Sequence, residues 1–363
     1  MSATDARIPV TLLTGFLGAG KTTLLNRLIR TPQMARALVI INEFGSIGLD
    51  HDLVARSNED DTIVEMASGC LCCTIKGDLK KTLADAPWRF SRERRRWFDR
   101  VVIETTGLAD PAPIIHTVMA DDELKSLYAL QSVVTVVDGC SGLQTLELQP
   151  EASKQVAVAD RLLVSKVDLA GAPDLAQLTG KMRALNPSTD PLLLTDDAVD
   201  AVELFGDRTF NPSLKTDDVR QWLNAEAYQP HSHHHHEHEH DHDDDTGHDI
   251  NRHDERIRSV CMTIDEPLSA EVFDKWLDML VTFNGVNVLR VKGIIHLAEL
   301  DRPLVIHGVQ HIWHPPAVLE NWPSEDRRSR IVFILRDLEE ADLRSMLAFV
   351  SERFASARIV GLG

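Results

Sequence analysis

The residues best suited to chemistry form one uninterrupted stretch, Gly15-Phe16-Leu17-Gly18-Ala19-Gly20-Lys21-Thr22-Thr23. The spacing G-x-x-x-x-G-K-T is that of a loop whose backbone N–H groups wrap a phosphate chain. Gly15, Gly18 and Gly20 leave the backbone room to close on the anion, and Lys21 brings a point charge. The Thr22 hydroxyl falls where such loops meet Mg2+, and Thr23 completes the set of nucleotide contacts. Pro9 to Thr14 is an apolar lead-in, while Leu24, Leu25, Leu28 and Ile29 follow at helical spacing. A strand running through glycines into a helix N-terminus aims free N–H groups and a positive dipole end at the phosphates. A chance glycine-rich turn does not carry the whole motif in that order.

Two more strand ends fit the same chemistry. Arg100 to Ile103 runs into Glu104-Thr105-Thr106-Gly107. A carboxylate at such an end reaches the Mg2+ shell, and a following glycine lets backbone approach the terminal phosphate. Glu104 and Gly107 take those places, with Glu104 and Lys21 as catalytic candidates. Arg161 to Val164 runs into Ser165-Lys166-Val167-Asp168. Asp168 can accept two hydrogen bonds from guanine, which offers donors where adenine offers an acceptor, and the Lys166 stem can lie over base or loop. The pattern favours GTP. Its more familiar form opens with Asn, so Ser165 is expected to loosen the bracing of the loop.

Gly69-Cys70-Leu71-Cys72-Cys73-Thr74 concentrates three of the chain's five cysteines. Cys72 and Cys73 point different ways in an extended chain while Cys70 and Cys72 share a side, so a curled loop is needed to aim all three inward. Thiolates select Zn2+ or Cu+ over hard ions, and three protein ligands leave a tetrahedral metal with one open position, which suits transfer. The alternatives are a redox thiol pair or small buried residues at a tight turn. The loop follows a strand end, which places the metal near the nucleotide and predicts linked occupancies.

These motifs need a scaffold, and the length of 363 residues with 43% hydrophobic content provides for a large core and a smaller one. Unbroken apolar runs at Val10–Thr14, Ala37–Asn42, Thr62–Met66, Arg100–Glu104, Ser132–Val137, Arg161–Ser165 and Pro191–Thr195 alternate with helical patterns. Strands covered on both faces read this way, so residues 1–228 are expected to form a three-layer, mostly parallel α/β domain with ligands beyond the carboxyl ends of its strands. The last part, 256–363, reads as a smaller α+β domain. Its strands are expected at Ile257–Ile264, Asn287–Leu300, Leu304–Trp313 and Ser329–Leu335, and its helices at Ser269–Phe283 and Glu339–Phe354. Ser269 is the N-cap, and Phe273, Trp276, Leu277 and Leu280 form the apolar face. His296, His307, His311 and His314 read as satisfied sheet histidines, and His116 as a packed or surface one.

The net charge is −18, and residues 229–255 alone carry 9 Asp and Glu against 1 Lys and Arg. That balance excludes nucleic acid and anionic membranes as partners. The same segment holds His231, His233, His234, His235, His236, His238, His240 and His242 among acidic residues, with almost nothing apolar to bury. It reads as a disordered linker with weak, exchangeable metal sites, His233 to His240 foremost. A polar start from Met1 to Ile8 and the lack of an apolar run of about 18 residues point to a cytoplasmic chain.

Taken together, the glycine loop, Asn42-Glu43-Phe44-Gly45, the C-x-C-C loop, Glu104-Thr-Thr-Gly107, Ser165-Lys-Val-Asp168 and Arg290-Val-Lys-Gly293 resemble the CobW-like GTPases of the SIMIBI class over nearly the whole length. The resemblance implies GTP and Mg2+ as cofactors, slow hydrolysis, and Zn2+, in some members cobalt, at Cys70, Cys72 and Cys73. It also implies a first switch around Glu43, a candidate metal or Mg2+-shell contact, with Asp50 or Asp52 orienting the attacking water. The expected function is a GTP-hydrolysing metallochaperone that serves a client metalloprotein, with a nucleotide-dependent homodimer as a further partner state. The rival readings are an activator of one cobalt or iron enzyme, a zinc buffer with a gating GTPase, and an ATP-using kinase-like enzyme.

Overall fold

A computed structural model of the chain describes residues 7–44, 63–68, 73–93, 95–195, 256–285, 287–314, 316–338, 341–342, 345 and 358–362. In the first half, β1 (Ile8–Thr14), α1 (Lys21–Leu28), β2 (Ala37–Phe44), β3 (Ile63–Ser68) and α2 (Cys73–Arg89) precede a small hairpin of β4 (Ser91–Arg92) and β5 (Arg95–Arg96). Then come β6 (Arg100–Thr105), α3 (Ala112–Ala120), α4 (Leu124–Leu127), β7 (Tyr128–Asp138), α5 (Gly142–Leu148) and α6 (Pro150–Ala157). The half ends with β8 (Arg161–Ser165), α7 (Ala172–Leu185) and β9 (Pro191–Leu193). Seven strands form one sheet in the order β3-β2-β6-β1-β7-β8-β9, and every neighbouring pair is parallel.

Alternate residues of these apolar strands enter different layers, because side chains change face at each step. Val10, Leu12, Val101 and Ile103 pack under α2 and α3, with Leu79, Leu83, Ile115 and Val118. Leu13, Val102, Val136 and Leu163 face the other way, onto Leu24, Leu25 and Leu28 of α1. Further along, Leu162 and Val164 meet Leu146, Val156, Leu178 and Met182 from α5, α6 and α7. Helices therefore cover both faces, and the expected three-layer α/β fold is present. The strand β7 begins at Tyr128, earlier than the apolar run announced, because Tyr128 pairs with Ile8 and its hydroxyl donates to the Leu83 carbonyl at 2.8 Å.

The last part builds an antiparallel sheet from β10 (Ile257–Ile264), β11 (Val288–Ile295), β12 (Leu304–Val309), β13 (Ile312–Trp313), β14 (Ala317–Val318), β15 (Ser329–Arg336) and β16 (Arg358–Leu362). Across it lies α8 (Ala270–Asn284), whose first turn is capped by the Ser269 hydroxyl accepting the Val272 N–H. Trp276 of α8 is fully buried and meets the edge of Phe333 at 6.1 Å between ring centroids. Two expected strands come out shorter. Val288–Ile295 stops before the chain turns to bridge Leu268 through Leu297, and Leu304–Trp313 is divided at Gln310, whose φ of 54° closes a turn. Most of the expected helix 339–354 and the linker 229–255 lie outside the described residues.

The two sheets meet at the start of β8. Ile8 and Val158 share one apolar cluster with Leu289, Val309, Ile312 and Ile334. Beside it, the buried Arg290 side chain donates to the Val158 carbonyl and pairs with Asp160, whose other oxygen accepts the Val133 N–H at 2.9 Å. Arg290 Nη2 also lies 3.2 Å from His307 Nε2, and since a guanidinium only donates, the imidazole nitrogen accepts. His307 stacks on His314 at 4.5 Å. Burial and the neighbouring Arg290 charge push Lys292 well below the usual lysine range. Burial also pushes His307 well down and His314 down to about 4. Both histidines are packed, but His314 lies just beyond β13 and its Nε2 is buried without a hydrogen-bond partner among the described residues, so the expectation of a satisfied sheet histidine is not met there.

Candidate functional site

The carboxyl ends of β1, β6, β7 and β8 converge on the glycine loop. Gly15 has a φ of 140°, and a Cβ there would lie 2.2 Å from the Val136 carbonyl oxygen, so both conformation and space require glycine. Gly20 caps α1 in the left-handed region at φ 87°. Lys21 is buried and its ammonium donates to the carbonyls of Gly15 at 2.9 Å and Phe16 at 3.2 Å. The amine is thereby held inside the loop that the motif wraps around phosphate.

At the start of α1, Thr22 Oγ1 donates to Glu104 Oε1 at 2.7 Å. Glu104 is buried at the end of β6, in register with Leu13 of β1 and Ile41 of β2. A hydroxyl and a carboxylate oxygen side by side at a helix N-terminus form the hard, all-oxygen donor set that suits Mg2+. Below them the Thr105 hydroxyl donates to that of Thr14 at 2.9 Å and ties the two strand ends together. Gly107 follows, and a Cβ on it would come within 2.5 Å of the Leu17 nitrogen. The Glu104–Gly107 loop thus lies directly on the glycine loop, at a distance that only glycine permits.

At the end of β8, Asp168 is exposed. Lys166 takes a φ of 53°, and its ammonium donates to Asp138 Oδ2 at 2.6 Å. Asp138 also accepts the N–H groups of Cys140 and Ser141. Burial raises its pKa, but the Lys166 hydrogen bond and these N–H groups outweigh that, leaving it below the usual carboxylate range. Sequence reading passed over Asp138, although a carboxylate between the apolar run Val133–Val137 and Gly139 is the signal that identified Glu104.

Ser165 corrects an expectation. Instead of loosening the loop, its Oγ donates to the Ala19 carbonyl at 2.7 Å, and its own carbonyl accepts the Gly139 N–H at 2.8 Å. Gly20 lies beside this bond, and a Cβ on it would stand 3.7 Å from the Ser165 hydroxyl, an ordinary contact.

Of the remaining candidates, Glu43 lies on β2 in register with Ala67 of β3, one strand from Thr105. Cys73 is the first residue of α2, just beyond the end of β3 at Ser68. Cys70, Cys72, Asp50, Asp52 and His233 to His240 lie outside the described residues. Among the described residues no group of three His, Cys, Asp or Glu side chains stands together as a metal site. Nor is any helix among them long and apolar enough to cross a membrane. His116 on α3 lies beside His311, with ring centroids 5.1 Å apart.

Comparison with known proteins agrees with this geometry. Residues 9–192 match the CobW/HypB/UreG nucleotide-binding domain, and residues 257–350 match the cobalamin synthesis protein cobW C-terminal domain. The chain is 30% identical over 345 residues to the zinc chaperone YjiA of Escherichia coli K12, covering 94% of this chain and 98% of that protein. It is 37% identical over 186 residues to the zinc-regulated GTPase metalloprotein activator 1 of Schizosaccharomyces pombe, 49% of this chain and 44% of that protein. Its fold matches the crystal structure of Zn(II)-bound YjiA GTPase from E. coli with a TM-score of 0.67 at 26% identity, over 95% and 99% of the two chains. With the phosphate loop, the Thr22–Glu104 pair and the antiparallel C-terminal sheet in place, the chain belongs to the CobW/HypB/UreG family of nucleotide-binding proteins and carries the CobW C-terminal domain.

Proposed function

We propose that this GTPase is a metallochaperone that holds Zn2+ at Cys70, Cys72 and Cys73 and passes it to a client metalloprotein under the control of its nucleotide. The observation that supports the reading is that the strand carrying Glu104 and the strand the cysteines follow in sequence belong to one parallel sheet. Thr22 at the start of α1 donates to Glu104 at the end of β6, and the C-x-C-C residues follow β3 in the sequence, with Cys73 opening α2. β3 is three strands from β1, about 14 Å at the usual strand spacing. Glu43 lies on β2, the strand between β3 and β6, and is assigned as a further metal or Mg2+-shell contact.

In this reading GTP enters with its phosphates on the backbone N–H groups of Gly15 to Lys21, and Asp168 selects the base. Thr22 and Glu104 hold Mg2+, which compensates charge on the phosphates when bound. Lys21 moves from the loop carbonyls to the phosphate oxygens, and Gly107 brings backbone against the terminal one. Asp50 is assigned to orient the attacking water. Zinc is cargo: three thiolates bind it and leave the fourth position to a client ligand. The histidines from His233 to His240 collect ions weakly in the linker between residues 229 and 255. Leu17, Leu108 and Leu169 are exposed around the nucleotide end and offer an apolar rim to the client or to a second copy of this chain.

Co2+ substitution tests the reading. The three-cysteine site should give sulfur-to-metal charge-transfer bands that vanish in Cys72→Ser and weaken in Cys70→Ser and Cys73→Ser. Affinity should fall with pH as thiolates take up protons. GTP and the metal should change each other's affinity by the same factor. Deleting residues 231–242 should remove only weak equivalents from the same titration. A spectrum with nitrogen and oxygen ligation alone, or independent titrations of metal and GTP, would defeat the proposal.

A further inference from the structure

Helix α6 has no motif in it, yet one of its side chains reaches the loop beside the phosphate site. Gln155 is 1% exposed, and its Nε2 donates to the carbonyls of Gly107 at 3.1 Å and Ala109 at 3.0 Å. Both carbonyls belong to one turn, closed by the Ala109 N–H donating to the Thr106 carbonyl at 3.1 Å. Lys154, the preceding residue, pairs with Asp110 at the far side of that turn. Gly107 lies against the Leu17 backbone on its other flank, so the turn is held between the glycine loop and α6.

The helix is itself fixed. Thr135 near the end of β7 donates from Oγ1 to the Gln155 carbonyl at 2.8 Å. Buried Asn186 donates to the carbonyls of Val156 and Ala159, each at 2.9 Å, where the helix ends. A peptide plane is rigid and trans, so drawing the Gly107 carbonyl toward α6 turns the Leu108 N–H away from it. Two such planes set by one amide leave the turn little freedom to rotate its N–H groups.

We propose that Gln155 is a positioning residue for GTP hydrolysis, fixing the peptide planes of Gly107 and Ala109 through which the turn meets the terminal phosphate. This rests on the assignment of the Glu104–Gly107 loop to that phosphate. GDP lacks it, so the role is specific to the triphosphate. Gln155→Leu in the full chain keeps the bulk and removes both donors. Affinity for a non-hydrolysable GTP analogue and the turnover number should each drop about ten- to thirtyfold, the worth of two hydrogen bonds, with GDP affinity within about twofold. A folded Gln155→Leu protein with an unchanged ratio of GTP-analogue to GDP affinity and unchanged turnover overturns the proposal. Amide exchange on the wild-type chain needs no variant. Residues 107–110 and 153–157 should slow together in the GTP analogue relative to GDP. Slowing in the turn without any in 153–157 overturns the role of Gln155, whereas no slowing in either overturns the phosphate assignment beneath it.

Discussion

The two ends of β8 carry polar clusters of opposite kinds. Before the strand, Asp160 is sealed with Arg290, Lys292, His307 and His314 between the two sheets. After it, Ser165, Lys166 and Asp168 stand among glycines at the open edge. The first cluster is richer in ionisable groups, and residue type alone would make it the better site. Its charges are paired inside the fold, however, Arg290 with Asp160, and burial drives its histidines neutral. At the other end Lys21 rests on the carbonyls of its own loop, and Thr22 on Glu104, contacts that a nucleotide and its metal can replace. A site is distinguished here by which partners are exchangeable, with backbone kept close by Gly15, Gly20 and Gly107.

The sharpest way to break that contrast is at the open end, where substitution should change ligand affinity and leave the fold alone. Asp168→Asn should lower GTP affinity by about three orders of magnitude and favour xanthosine triphosphate, because the wrong base leaves buried polar groups unpaired. Lys21→Ala should weaken GTP about a hundredfold or more, the loss of a charge-assisted phosphate contact. Titrations with GTP, ATP and xanthosine triphosphate, beside thermal melts, check both. Equal wild-type affinity for ATP and GTP would remove the base reading.

The sealed end should behave conversely. Arg290→Met leaves the Asp160 carboxylate buried without its guanidinium, which costs about 3–5 kcal/mol of stability. Urea unfolding should show the loss, while GTP affinity of the remaining folded protein stays within about threefold. A folded variant that loses GTP instead would mean that the two ends of β8 are not separate.

A smaller effect comes from the stacked histidines. In the unfolded chain His314 titrates near 6.5, whereas in the fold it is pushed down to about 4 by burial, against the Asp160 charge and with that of Arg290. Its contribution to stability is therefore complete above about pH 6.5 and is lost as pH falls toward 4. The slope is about 1.4 kcal/mol per pH unit, and His307 acts in the same direction. Urea midpoints at pH 7.5 and 5.5 should fall with pH in the wild type and fall less in His314→Gln.

The contrast also explains what the sequence made legible. The nucleotide end is written in contiguous motifs because backbone does most of the binding, and each motif sits where an apolar run stops. The parallel sheet followed from the same runs. The sealed end joins Asp160 to Arg290 across 130 residues, and no local pattern announces such a pair. Gln155 belongs to no motif, because its partners are backbone carbonyls of a turn distant in the sequence. The strand β16 was unforeseen, since its pairing with β10 depends on a chain end returning across the sheet.

Ser165 offers the finest test, because it lies on the open end yet makes a bond of the sealed kind. Its hydroxyl donates to the Ala19 carbonyl at 2.7 Å, and Ala19 is itself buried. Ser165→Ala leaves that carbonyl without its donor and should cost about 1 kcal/mol, or roughly fivefold in affinity if the bond shapes the loop for phosphate. With the inner phosphates on this loop, as proposed, GTP and GDP should weaken alike, in contrast to the triphosphate-specific loss assigned to Gln155. Ser165→Asn restores a side-chain donor and should bring both affinities back to within about twofold. Should Ser165→Ala lower the melting temperature and leave both affinities unchanged, the hydroxyl is a structural tie like Arg290, and the boundary between the two clusters must be drawn beyond Ser165.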